Sequence, residues 1–160
     1  MVNLATWQLD RHEARKMFNA TLVQRFDAPI QPLEELLQSG EPADIEWLPT
    51  ALKGTYLQGE DISLVNVSQN GAAGYDAITP LLLDNGSVVL VNRGFLPLVA
   101  PFPLAPTGEV SLLGRIRATS ERRTGEVSDA ATGELTDIQR IDIDRLQQQI
   151  DGELVPVYVQ

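Results

Sequence analysis

The sequence predicts an α+β domain built mainly on an antiparallel β-sheet. Three observations lead to this fold class: a helical apolar period near the N-terminus, strand-like segments from residue 45 onward, and a turn dipeptide between two apolar runs. Strands interrupted by a few helices are typical of antiparallel sheets with helices gathered at one face or end. We expect a sheet that can curl into a small barrel and is packed by the N-terminal helix and short helices.

Two helices are predicted before the first long strand. The first runs from Leu4 to about Arg25, where apolar residues recur at spacings of three and four and would face the sheet. The second begins at Pro32 and ends near Gly40, which we expect in the left-handed cap conformation. The apolar face of the first helix consists of Leu4, Trp7, Ala14, Phe18 and Leu22.

A β-hairpin is predicted in the centre of the chain. Two apolar runs, Tyr75–Leu83 and Ser87–Phe95, flank Asn85-Gly86, a dipeptide that favours a two-residue type I′ turn. Both faces are apolar near the turn, so these strands should be covered on both sides. Pairing outward from this turn gives the expected pairs Leu83 with Val88, Leu81 with Leu90, Thr79 with Asn92 and Ile78 with Arg93.

The remaining elements follow from strand-like patterns and helix signals. Prolines make the segment from Leu98 to Thr107 an extended connection, in which Phe102 could act as an anchor. A helix follows Asp142, whose carboxylate can cap its N-terminus, and ends at Gly152, with Ile143, Leu146 and Ile150 facing inward. The other predicted strands are Glu46–Leu57, Asp61–Ser68, Glu109–Ala118 and Glu153–Val159.

Polar and aromatic residues gather at the end of the hairpin away from the turn. Asp76 and Arg93 should fall on one face as diagonal neighbours, so we expect them to pair. Either the pair only orients the strand ends, or the region is a recognition patch for a partner surface or a carboxylate-bearing ligand. The candidate partner-binding residues are Tyr75, Asp76, Thr79, Asn92, Arg93, Gly94 and Phe95.

The hairpin also carries motifs that resemble a known family. Gly74-Tyr75, Thr79-Pro80 and the run Val89-Leu90-Val91-Asn92-Arg93-Gly94-Phe95-Leu96-Pro97 are similar to the central motifs of the Surfeit locus protein 1 family. At Phe95 the family usually has tryptophan, so the indole donor is absent here. The resemblance extends along the whole chain through Trp7-Gln8-Leu9 with Arg11 and Lys16, Gly54-Thr55-Tyr56, and Pro156-Val157-Tyr158.

This resemblance implies a membrane-anchored protein that assists assembly of cytochrome c oxidase, through haem a delivery or maturation of subunit I. Its partners would be subunit I or other assembly factors. Residues 1–160 would be a single extramembrane domain, with flanking transmembrane helices at both ends that are absent from this chain. The domain would lie outside the cytoplasm at a bacterial cell membrane, or at the mitochondrial inner membrane in a eukaryote.

The resemblance also bears on cofactor and membrane contacts. The domain alone would bind no cofactor, and any contact with haem a would belong to the full-length membrane protein. If a membrane helix precedes the chain, Trp7 with Arg11 and Lys16 would suit the membrane interface, where aromatic rings and long cationic side chains are favoured. The alternative is that Trp7 packs on the sheet.

Composition and motifs argue against several other classes of function. A net charge of -10 without a basic stripe argues against nucleic acid as a partner. With no cysteine and His12 as the only histidine, a thiolate or multi-histidine metal site is excluded. We therefore expect no catalytic and no metal-binding residues. Two alternatives stay open: a docking module of a membrane protein with no cofactor role, and an enzyme that uses carboxylates such as Asp76 or Asp137.

Overall fold

A computed structural model describes residues 2–120 and 124–160, with side chains from residue 11 onward. Four helices are present in the described part: α1 Val2–Phe26, α2 Leu33–Ser39, α3 Pro42–Ile45 and α4 Ile143–Leu146. The strands there are β1 Gln31–Pro32, β2 Pro49–Tyr56, β3 Ile62–Gln69, β4 Ala72–Leu83, β5 Ser87–Pro97, β6 Glu109–Ala118, β7 Asp137–Ile138 and β8 Glu153–Val159.

Five of these strands close into a barrel. The order around it is β2, β6, β8, β5 and β4, and β4 pairs with β2 again to complete the ring. Only one neighbouring pair in this ring, β5 with β8, is parallel. The remaining strands extend from the ring: β3 lies beside β4, β7 lies beside β3, and β1 lies beside β2. The structure thus confirms the predicted α+β class, with a mainly antiparallel sheet curled into a small barrel.

The seam between β2 and β4 depends on a glycine. Gly54 pairs with Leu83 across this seam and is buried. A Cβ atom at position 54 would collide with the carbonyl oxygen of Leu82. The bare backbone therefore lets the two strands approach closely enough to close the barrel.

Two apolar cores lie on opposite sides of the barrel wall. The strands β4 and β5 contribute to both, as the sequence predicted for a hairpin covered on both faces. The first core, inside the ring, includes Leu52, Tyr56, Leu81, Leu83, Val89, Val91, Ile116, Val157 and Val159. The second, between the wall and α4, includes Ile62, Ile78, Val88, Leu90, Ile138, Ile141, Ile143, Leu146 and Ile150.

The hairpin turn differs from the predicted type I′ turn by one residue. The amide of Gly86 donates to the carbonyl of Leu83 at 3.0 Å, which places Asp84 and Asn85 at the centre of the turn. Gly86 follows with φ of +88°, whereas Asn85 has a negative φ. This is a three-residue loop, a type I turn followed by a left-handed glycine bulge.

The longer loop shifts the register of the hairpin. Leu82 pairs with Val88 and Leu81 with Val89, so the predicted pair of Leu83 with Val88 is wrong, as are the pairs that followed from it. Because side chains alternate along a strand, the shift changes which residues share a face. Leu81 and Leu83 therefore lie beside Val89 and Val91 inside the barrel.

The bounds of α1 and α2 agree with the sequence predictions, but the predicted burial of α1 and the predicted cap of α2 do not. Phe18 is 59% exposed, so the predicted apolar face of α1 is not buried at that position. The helix joins the barrel at its C-terminal end, where Arg25 donates to the Glu46 carbonyl and the Phe26 ring stacks on Trp47. Gly40 is extended, with φ of −176°, so the left-handed cap predicted after α2 is wrong.

The C-terminal elements lie where the sequence predicts them, but the helix predicted to reach Gly152 is wrong in length, because α4 ends at Leu146. The carboxylate of Asp142 accepts a hydrogen bond from the amide of Arg145 and so caps α4, as expected. Ile143, Leu146 and Ile150 are buried against the barrel wall. Strands β6 and β8 have the predicted bounds.

Candidate functional site

The candidate residues lie around a bulge in the hairpin. Asp76 pairs with Phe95 and Ile78 pairs with Asn92, so two residues of β5 stand opposite one residue of β4. The extra residue is accommodated by Gly94, whose φ of +106° is strained for other residues. Asn92 accepts a hydrogen bond from the Gly94 amide at 2.9 Å and holds the bulge in place.

On the outer side of the bulge, an open cleft of about 460 Å³ lies between β3 and the end of β8. The amide of Asn92 donates to the carboxylate of Asp76 at 2.8 Å along its wall. Polar groups and one aromatic ring thus face the same space. The lining residues are Val67, Ser68, Gln69, Asp76, Asn92, Arg93, Gly94, Phe95 and Gln160.

The Phe95 ring has a packing partner at the edge of this cleft. A Cβ atom at Gly74 would lie 2.5 Å from a ring carbon of Phe95. The glycine of the Gly74-Tyr75 motif thus leaves room for the aromatic ring of the second motif, so the two motifs form one packed unit.

On the inner side of the barrel wall, Arg93 binds the connection between β5 and β6. Its guanidinium donates to the carbonyls of Pro103 and Leu104, each at 2.9 Å, and to the Thr79 hydroxyl at 3.3 Å. The guanidinium carbon also lies 5.5 Å from the centre of the Tyr56 ring. A planar group with several fixed donors can span two successive carbonyls in this way, whereas a lysine cannot.

Two neighbours of Arg93 complete this attachment. The Thr79 hydroxyl donates to the Asp61 carboxylate at 2.6 Å. The Tyr75 hydroxyl donates to the Ala100 carbonyl at 3.0 Å, and its ring stacks on Phe102 with centres 5.9 Å apart. Phe102 was expected to be an exposed anchor, whereas the structure has it partly buried against Tyr75.

The predicted site therefore separates into two groups. Asp76, Asn92, Gly94 and Phe95 lie on the cleft. Tyr75 and Arg93 bind the β5–β6 connection, with Thr79 bonded to Arg93, although part of Arg93 also lines the cleft. The predicted pairing of Asp76 with Arg93 is wrong, because the bulge places the guanidinium on the opposite side of the strand from the carboxylate. The structure does bring all seven residues to one region of the molecule.

The predicted interface residues lie on α1, apart from the cleft. Arg11 and Lys16 are exposed on that helix. The side chain of Trp7 lies outside the described residues. No helix in the described part of the chain is both long enough and apolar enough to cross a bilayer.

Some residues of this region were not singled out from the sequence. Asp61 and Gln58 contact the site from the connection between β2 and β3, Asp61 by accepting from the Thr79 hydroxyl and Gln58 by donating to the Pro106 carbonyl at 3.2 Å. Neither position carries a local pattern that indicates such a contact. In residues 2–120 and 124–160, no cluster of histidine, aspartate and glutamate side chains could hold a metal ion.

Comparison with known proteins agrees with the motifs. The model of the SURF1 family matches residues 1–160. This chain belongs to the SURF1 family. The matched range includes the residues of the bulge, the cleft and the attachment of the β5–β6 connection.

Curated proteins with SURF1-like names are similar to this chain. An uncharacterized SURF1-like protein of Mycobacterium bovis is 27% identical over 130 residues, covering 77% of this chain and 48% of that protein. A SURF1-like protein of Monosiga brevicollis is 30% identical over 139 residues, with coverages of 79% and 52%. Surfeit locus protein 1 of Xenopus tropicalis is 24% identical over 144 residues, with coverages of 76% and 46%. The chain spans about half the length of these relatives.

Two tyrosines near the site of this SURF1-family domain are held in the neutral form. Burial raises the pKa of Tyr158, and Arg117 opposes the shift while Glu46 and Asp76 add to it. Burial likewise raises the pKa of Tyr56, against the opposing charge of Arg93. Both phenols therefore ionise at higher pH in the folded protein than in the unfolded chain.

The tyrosines are expected to make folding sensitive to alkali. Below about pH 10 both states hold the phenol protons, so their contribution to stability is complete. Above that pH the unfolded chain ionises first, and the free energy of unfolding falls as pH rises toward the folded-state pKa. Urea unfolding at several pH values between about 8 and 11 measures this decrease. In a Tyr56→Phe/Tyr158→Phe variant, the free energy of unfolding should fall less over the same pH range. A fall as large as that of the wild type would contradict the assignment of the alkali sensitivity to these two tyrosines.

Proposed function

We propose that this domain is the extramembrane part of a membrane-anchored assembly factor for cytochrome c oxidase. In this role it assists haem a delivery or subunit I maturation, and it acts through binding rather than catalysis. The observation that carries the proposal is the family match over residues 1–160. One similar protein, from Xenopus tropicalis, bears the name Surfeit locus protein 1.

The cleft beside β3 is the surface that we assign to the protein partner. It combines the Asp76 carboxylate, the Asn92 amide and the Phe95 ring within one open space of about 460 Å³. Hydrogen-bonding groups beside an aromatic ring are suited to a partner segment that contributes both polar and apolar side chains. The partner in this proposal is oxidase subunit I or another assembly factor.

The same proposal places the domain outside the cytoplasm at a bacterial cell membrane, or at the inner membrane in mitochondria. Flanking membrane helices of the full-length protein would provide the anchor. Haem a contact belongs to that full-length protein in this proposal. His12, the only histidine, is exposed on α1, and no residue of α1 lines the cleft.

The test is the haem a content of membranes. In a strain that lacks the gene, reduced-minus-oxidised spectra should show a strongly diminished haem a band, and the full-length gene should restore it. A Gln69→Arg variant, which places a long cation at the exposed rim of the cleft, should restore it poorly. Gln38→Arg, the same change at an exposed position of α2, is the matched control and should restore it fully.

An unchanged haem a band in the deletion strain, under conditions that require the oxidase, would overturn the assembly role. The docking module without a cofactor role would then be the better interpretation. If Gln69→Arg and Gln38→Arg restore the haem a band equally well, the cleft is not the partner surface. Immunoblots of both variants in membranes separate these outcomes from simple loss of protein.

A further inference from the structure

The connection between β5 and β6 presents large apolar side chains to solvent. Val99 is 94% exposed, Leu104 is 89% exposed and Leu98 is 69% exposed. Between Pro97 and Gly108 there is no charged residue, although the chain as a whole has a net charge of -10. Neighbouring exposed apolar residues without intervening charge mark an interaction surface. We call residues 98–104 the apolar loop.

Part of the backbone of the apolar loop is hydrogen-bonded within the protein. Carbonyl groups along it accept hydrogen bonds from the side chains of Tyr75 and Arg93, and the Leu98 amide donates to Ala73. Several residues have no amide hydrogen to satisfy, because they are prolines. The bonded carbonyls in and beside the loop are those of Pro97, Ala100, Pro103, Leu104 and Pro106, and the prolines are Pro97, Pro101, Pro103 and Pro106.

The remaining backbone groups of the loop set the depth at which it can lie in a membrane. The carbonyls of Val99 and Phe102 accept no hydrogen bond from the described residues. In the apolar part of a bilayer, each such group would cost several kcal/mol. The hydrated headgroup region can satisfy these carbonyls while it covers the exposed apolar side chains, so the loop suits that depth.

The direction of the strands gives the loop an orientation. β5 and β8 run parallel, so the apolar loop after β5 and Gln160 after β8 lie toward the same end of the barrel. In the proposed function, on which this step rests, a membrane helix follows the domain. That helix would leave the barrel from the end that carries the apolar loop, which would bring the loop against the bilayer.

We propose that the apolar loop inserts Leu98, Val99 and Leu104 into the interfacial region of the membrane. The matching lipid is zwitterionic, because the acidic domain is repelled by an anionic surface. Burial of three apolar side chains gives weak attachment by itself, and it orients a domain that is already anchored nearby.

The absence of cysteine allows a direct test with the 160-residue chain. A single cysteine at Val99 carries an environment-sensitive NBD fluorophore, and a C-terminal hexahistidine tag attaches the chain to phosphatidylcholine vesicles containing a nickel-chelating lipid. Emission should rise severalfold and shift to the blue on attachment, and a lipid-borne quencher should reduce it. The matched control is the same label at Val127, which is 69% exposed on another loop and should keep its aqueous emission.

Equal aqueous emission from both labels would overturn the proposal. If so, and if a Val99→Asp/Leu104→Asp variant also lowers the haem a band in cells, the loop contacts a protein partner instead of lipid. Burial of the Val99 label supports lipid insertion whatever the oxidase spectra show. A buried Val99 label together with an unchanged haem a band in the deletion strain would support membrane insertion of the apolar loop and reject the proposed function.

Discussion

A Gly54→Val substitution is expected to destabilise the domain by about 3 kcal/mol, because it forces apart the seam that closes the barrel. Position 54 is buried, and even a Cβ atom there meets the Leu82 carbonyl. The backbone cannot move away on its own, since β2 is also paired with β6 from Pro49 to Thr55. Urea unfolding followed by circular dichroism measures the loss.

The control for this substitution is Thr55→Val. Thr55 is the next residue of the same strand and its side chain is exposed, so a change there should alter stability by less than about 0.5 kcal/mol. If valine at position 54 lowers the free energy of unfolding no more than valine at position 55, the β2–β4 seam is not closely packed at this position.

An Arg93→Lys substitution is expected to lower stability by about 2 kcal/mol and to loosen the apolar loop. Lysine keeps the positive charge but cannot span the carbonyls of Pro103 and Leu104. The amides of Leu98 and Ala100, which are bonded to Ala73 and Pro97, should then exchange faster with deuterated water. Urea unfolding measures the first effect and hydrogen exchange by NMR measures the second.

Arg117→Lys is the matched control for the loop. Arg117 lies on β6 and pairs with Glu46 at 3.1 Å, so its loss can affect stability without touching the β5–β6 connection. The loop amides should exchange at the wild-type rate in this variant. Wild-type exchange of the same amides in Arg93→Lys would mean that the guanidinium does not hold the loop.

The hairpin shows how far local sequence determines this fold. The apolar runs predicted both strands and their burial on both faces, because periodicity and residue type are properties of each strand alone. The register was missed because Asp84-Asn85-Gly86 fits a three-residue loop as well as Asn85-Gly86 fits a two-residue turn. Only the packing of Leu81 and Val89 across the barrel distinguishes the two.

The candidate residues were predicted to lie together, but their geometry was not predicted. The mixture of polar, aromatic and glycine residues was expected at one end of the hairpin, and the structure brings these residues together there; their role as a site stays a prediction. The bulge at Gly94 then moved Arg93 away from Asp76, and no local pattern indicates a bulge in an unbroken run of strand residues. The sequence predicted the apolar loop only as an extended connection. Its exposed apolar surface was not predicted, because no local pattern indicates that Ala105 packs inward while Val99 and Leu104 face solvent.

The parallel pairing of β5 with β8 has a consequence for synthesis of the protein. β8 is the last strand, and it lies between β5 and β6, so two of the five seams form only after residue 159 has been made. The hairpin can form while translation continues, because its contacts are local. Until β8 has been made, the nascent chain exposes the β5 and β6 edges and one end of an open core. A chaperone or a second nascent chain can bind this state.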